Sequence, residues 1–134
     1  MGERKNDEEK ENPMKRILFY LIFIYMIPAA FTKANVSDNN AKFIQAAKDG
    51  SLATVQTLLA DGASPNTTDD NGVPVLMWAA NNGHSEVVKL LLEKGAEVNA
   101  KATIKNVEWT ALKVARRMGH TDIVQLLEKA GAKE

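Results

Sequence analysis

No cysteine occurs anywhere in the 134 residues. Disulfide frameworks, cysteine-based zinc sites and thiol nucleophiles are thereby excluded, while the redox compartment stays open. An excess of charge is missing as well, because 17 basic side chains balance 17 acidic ones. The clustered Lys and Arg surplus of a general nucleic-acid surface is absent, and no nucleic-acid partner is expected. Catalytic signatures are also lacking: there is no Gly-x-Ser-x-Gly elbow, phosphate-cradling loop or Cys–His arrangement. The expectation is a non-enzyme with no catalytic residue, no cofactor and no metal. Nor is there an apolar run of spanning length. The longest, residues 17–27, has eleven residues, and counting through Phe31 gives fifteen with Pro28 inside; roughly 20 are needed.

That run still organises the front of the chain. Residues 2–13 (GERKNDEEKENP) are almost wholly polar, a composition that does not fold. Met14-Lys15-Arg16 then precedes the apolar run, and Thr32 and Ala34 place small residues at positions −3 and −1 of a cut. This is the order of a secretory signal peptide. We therefore expect residues 1–34 to be a polar leader plus signal peptide, with Met14 as an alternative start. Residues 35–38 form a short linker, and 39–134 the folded domain. A periplasmic or secreted location follows. The rival reading is an inner-membrane anchor, which requires residues 17–31 to remain uncleaved.

Behind the leader the chain repeats itself. The glycine pairs Gly50 and Gly62, Gly83 and Gly95, and Gly119 and Gly131 are each separated by twelve residues. Before each pair lies a helix-like stretch with small residues: Phe43-Ile44-Gln45-Ala46-Ala47, Leu76-Met77-Trp78-Ala79-Ala80 and Leu112-Lys113-Val114-Ala115-Arg116. Within each pair fall Val55, Leu58 and Leu59; Val88, Leu91 and Leu92; then Val124, Leu127 and Glu128. In the central copy Val87, Val88, Leu90, Leu91 and Leu92 cover nearly one side of a helix, with Ser85 as its expected cap and Gly95 as its left-handed stop. A helix of about ten residues is marginal alone in water. It needs neighbours, and the copies at offsets of 33 and 36 residues supply them.

The chain resembles the ankyrin-repeat family. The residues that carry the resemblance are Gly83-His84, Val87-Val88, Leu90-Leu91-Leu92, Gly95-Ala96 and Val98-Asn99, with Gly119-His120, Ile123-Val124, Leu126-Leu127 and Gly131-Ala132 in the third copy. The first copy keeps Ala46-Ala47, Gly50, Leu58-Leu59, Gly62-Ala63 and Asn66. The resemblance implies an all-α solenoid of helix–turn–helix units joined by short β-hairpin loops, with repeats at about 39–69, 70–105 and 106–134. The family's Thr-Pro-Leu-His start is largely lost: only Thr110 keeps a capping hydroxyl, and Pro74 instead pre-sets the entry angle. A three-residue insertion falls between Asn99 and Thr110, where loop length is cheap. Thr54, Thr57 and Glu128 replace Val87, Leu90 and Leu92 of the central copy, as polar end-faces of a stack complete at three repeats.

The resemblance also implies what the surface does. His84 and His120 occupy equivalent positions and are expected to hydrogen-bond at the inter-helix turn, since no further ligand completes a metal site. Asp69 and Asp70 are expected as turn residues. Asn66-Thr67-Thr68 and Asn35-Val36-Ser37 match the glycosylation sequon, but Asn66 is better explained as the turn asparagine equivalent to Asn99. Partners of this family are gripped by hairpin tips and the exposed side of the first helices. Those positions are Asp70, Asn71 and Val73 at one tip, and Lys105, Asn106, Val107 and Trp109 at the next. Helix ends add Asn81, Asn82, Arg117 and Met118, with Lys48 and Asp49 in the first copy. An exposed Trp109 near Arg117 has the composition of a binding hot spot; alternatively Trp109 folds back and packs the lengthened hairpin. Trp78 is expected as half-buried core. The expected function is capture of a protein partner by a monomer. The alternatives are a membrane-anchored accessory protein or an inhibitor of an envelope enzyme.

Overall fold

Seven residues of the central repeat, Val75–Asn81, form a helix whose Leu76, Ala79 and Ala80 are buried. The alanines let a second helix approach closely, and Ser85–Glu93 buries Val87, Val88 and Leu91 beside them. This pairing is the unit of the fold. The structure is a computed structural model, and it describes residues 29–134. In chain order the described elements are α1 (Ala29–Asp49), α2 (Leu52–Ala60), α3 (Val75–Asn81), α4 (Ser85–Glu93), β1 (Ala102–Ile104), β2 (Val107–Trp109), α5 (Ala111–Met118) and α6 (Thr121–Lys129). Residues 35–38, expected as a linker, fall inside α1. Most of the expected signal segment, residues 1–28, lies outside the described residues. Among the described residues no helix is long and apolar enough to cross a membrane.

From Ser37 onward the chain forms one unit with a continuous core. Phe43, Leu76 and Leu112 fill equivalent positions on the first helices; on the second, Val55 matches Val88, Leu91 matches Leu127 and Val87 matches Ile123, all of them buried. Leu91 is fully buried, so truncation to Ala is expected to cost about 2–5 kcal/mol. The polar end-faces stand where the sequence places them. Thr54 and Thr57 are exposed, and Glu128 pairs with Arg116, which also meets Glu134.

The helix stops follow from glycine. At Gly95 (φ +93°) the Ala96 and Gly95 amides donate to Leu91 O and Leu92 O, at 2.9 and 3.1 Å. Those bonds satisfy carbonyls that a helix end leaves orphaned. Helix starts depart from expectation. Ser85 is not the cap: His84 holds that position without a side-chain cap bond, and Ser85 is the first helical residue. Thr110 does cap, accepting from the Lys113 amide at 3.2 Å, and Pro74 enters α3 at φ −61° and ψ 146°.

Asparagines tie neighbouring repeats together. Asn66 Oδ1 accepts from the Glu97 amide at 2.7 Å, and Asn99 Oδ1 accepts from the Lys133 amide at 2.8 Å. The segment that carries the insertion forms an antiparallel ribbon with Ala102 opposite Trp109, Thr103 opposite Glu108 and Ile104 opposite Val107. Its two-residue turn, Lys105-Asn106, has φ of 51° and 62°. Two left-handed residues make the mirror-image turn whose twist suits a hairpin.

Candidate protein-binding groove

The ribbon is amphipathic because its side chains alternate. One face carries Thr103 and Glu108, with Glu108 paired to Lys101 at 3.1 Å. The other carries Ala102, Ile104, Val107 and Trp109. At the ribbon's base Ala102 is buried with Val73 and Met77, and Trp109 packs half-buried against that cluster. Toward the tip the same face opens, leaving Ile104 42% and Val107 50% exposed.

That open face is one wall of a concavity of about 570 Å³. Val114, Arg117 and Met118 of α5 supply the other wall, with Asn81 at the end of α3. Four large hydrophobic side chains are exposed among the described residues, and three of them, Ile104, Val107 and Met118, line this groove. Arg117 lies over the Trp109 ring, its guanidinium carbon 5.1 Å from the centroid, within cation–π range. The indole thus has an apolar body in the core and a cation on its face.

Six of the expected contact residues meet here: Asn81, Lys105, Val107, Trp109, Arg117 and Met118. Asn106 is exposed on the turn but lies outside the groove lining. Trp109 is not at the tip; it ends β2 and is half-buried, so the fold-back alternative describes its ring. Val73 is a correction. It is 5% exposed, because its short apolar side chain completes the cluster under the ribbon, and it presents nothing to a partner.

Asp70 and Asn71 are exposed on the first hairpin, away from the groove lining. Asn82 is exposed, and its side-chain amide donates to Lys48 O at 2.8 Å. Asp69 is a turn residue, as expected. Its Oδ1 accepts from the Asn71 and Val73 amides and its Oδ2 from Trp78 Nε1 at 3.0 Å. Trp78 is half-buried beneath Lys48, whose Nζ is 3.9 Å from its ring centroid.

The sequence reading does not select Ile104 or Val114 for this site. The signal for Ile104 is present: period-two alternation on both sides of Lys105-Asn106 puts it on the face of Val107 and Trp109.

Comparison with known proteins places this architecture. The family described as Ankyrin repeats (3 copies) matches residues 43–133. The chain belongs to the ankyrin-repeat family. Over 89 residues it is 38% identical to Palmitoyltransferase Hip14 of Drosophila melanogaster, covering 66% of this chain and 14% of that protein. It is 37% identical over 90 residues to NAD-capped RNA hydrolase NUDT12 of Homo sapiens, covering 66% and 19%. The Caenorhabditis elegans Ankyrin repeat and KH domain-containing protein mask-1 is 43% identical over 89 residues, covering 66% and 3%. The chain spans less than a fifth of the length of each of these three relatives. Ankyrin repeats are protein–protein interaction modules, and this array is one.

Proposed function

We propose that the array captures its protein partner in the groove between the β1–β2 ribbon and α5. The observation that supports this is the convergence of Ile104, Val107 and Met118 on one concavity beside the Trp109–Arg117 stack. Apolar surface left open costs free energy in water, and covering it is the principal source of association energy. Arg and Trp are the residue types that most often carry that energy. The groove walls are a helix and a tight ribbon, so little ordering entropy is lost on binding.

The test is photo-crosslinking from position 107 compared with position 125 on α6. Protein adducts are expected from 107 and should fall sharply when Arg117→Ala is added. Equal yields from the two positions would remove the groove from consideration.

We further propose that the chain acts outside the cytoplasm, guided by the apolar segment 17–27 behind Met14-Lys15-Arg16. N-terminal sequencing of the purified protein tests this. A start near Asn35 is the expected result, and retention of residues 17–31 would make the chain a membrane-anchored form instead.

A further inference from the structure

We infer that the segment held in this groove is an acidic one, in which a large apolar side chain is flanked by carboxylates. This rests on the groove reading above and adds the chemistry of the partner. Two observations lead to it. The lining contains the cations Lys105 and Arg117 and no carboxylate. Among the described residues the ion pairs are Lys101–Glu108, Arg116–Glu128 and Arg116–Glu134, and neither Lys105 nor Arg117 joins one.

Among the described residues the two cations that do pair lie outside the groove lining. Lys101 has its carboxylate on the ribbon's other face, and Arg116 has two at the end of the stack. The Lys101–Glu108 pair thus lies on one side of the ribbon, while Lys105 at its turn and Arg117 of α5 line the groove on the other with no carboxylate in the lining. In a protein of zero net charge a one-signed concavity selects its visitor, because like charge is repelled and opposite charge is steered in.

Arg117 is also held ready. Its guanidinium lies over the Trp109 ring and joins no ion pair among the described residues, which leaves its N–H groups for a planar carboxylate. The apolar wall then requires an apolar side chain between the charges, since Ile104, Val107 and Met118 offer a carboxylate nothing.

The experiment is selection of a random twelve-residue peptide display library against the full chain. A counter-selection against Ile104→Ser/Val107→Ser isolates groove binders. Selected peptides should be rich in Asp and Glu beside Leu, Ile or Phe. The Arg117→Glu variant should bind them at least about tenfold more weakly, and 0.5 M salt should weaken them further. The double reversal Lys105→Glu/Arg117→Glu should turn the selection toward Lys- and Arg-containing peptides, an outcome that partial unfolding cannot produce. Neutral or basic peptides that are lost with the serine variant but kept by Arg117→Glu would overturn the acidic chemistry and leave the groove. Peptides indifferent to the serine variant, or no enrichment at all, would overturn both.

Discussion

His84 Nε2 stands 2.8 Å from the carbonyl oxygen of Lys48, and one repeat later His120 Nε2 stands 3.1 Å from that of Asn81. A carbonyl only accepts, so in both histidines Nε2 carries the proton. The two carbonyls belong to the last turns of α1 and α3, where helices leave acceptors without partners. Each repeat thus supplies the donor that its predecessor's helix end lacks. Long-range ¹⁵N–¹H spectra of the neutral rings should show the Nε2–H tautomer for both. An Nδ1–H tautomer in either would contradict the bond. His84→Ala should destabilise the array by about 1–3 kcal/mol, read as a lower urea midpoint.

The same contact decides which glycines tolerate a methyl group. A Cβ on Gly50 would run into the His84 ring at Nδ1, and one on Gly83 would lie 2.8 Å from His120 Cε1. Gly119 has a similar φ, +77°, but a Cβ there meets nothing within 4 Å. Gly119→Ala should therefore cost only the left-handed penalty, about 1–2 kcal/mol. Gly50→Ala and Gly83→Ala should cost at least about 1 kcal/mol more, because a packed ring must also move. Equal midpoints for the three variants would show that the histidines give way freely.

Much of this fold was legible because repetition multiplies weak signals. One Leu-Leu-Leu run does not separate a buried helix from a strand, but three copies with glycines at fixed spacing do. The histidines' inter-repeat role was only half visible, since spacing places them at the turn without saying whose carbonyl they meet. The groove was harder to read. Val73 is apolar and sits beside turn residues, so nothing local tells a buried valine from an exposed one. Trp109 looked like a tip residue because the insertion's register was unknown. Once Lys105-Asn106 is placed as the turn, alternation alone puts Trp109 at the base and Ile104 in the groove.

Asp69 anchors the first hairpin through three accepted bonds, two from turn amides and one from the Trp78 indole. Asp69→Ala should cost about 2–4 kcal/mol, since it strands the partly buried indole N–H as well as loosening the turn. Asp69→Asn is the informative variant. Its oxygen still serves the turn amides, but its NH₂ group faces the indole N–H and accepts nothing. An intermediate urea midpoint is expected. If Asp69→Asn is as damaging as Asp69→Ala, the neutral turn bonds contribute little; a midpoint equal to that of the unaltered protein would instead show that the indole bond contributes little.

Lys105 holds two positions at once, a strained backbone and a groove cation, and a glycine separates them. Its φ of 51° is one that side chains rarely adopt, and relief of that strain outweighs glycine's greater unfolded freedom when the native φ is positive. Lys105→Gly should stabilise the ribbon by up to about 1 kcal/mol, a rise of about 4–8 °C for a domain of this size. The same substitution removes one of the two unneutralised cations in the groove. It should therefore bind acidic peptides less well while melting later. Stability and capture would then move in opposite directions, which no loss of folded protein can mimic. A variant that melts later and binds unchanged would leave Arg117 as the only charge the partner reads. A variant that melts earlier would mean that the Lys105 side chain, by packing along the apolar wall, contributes more than its backbone costs.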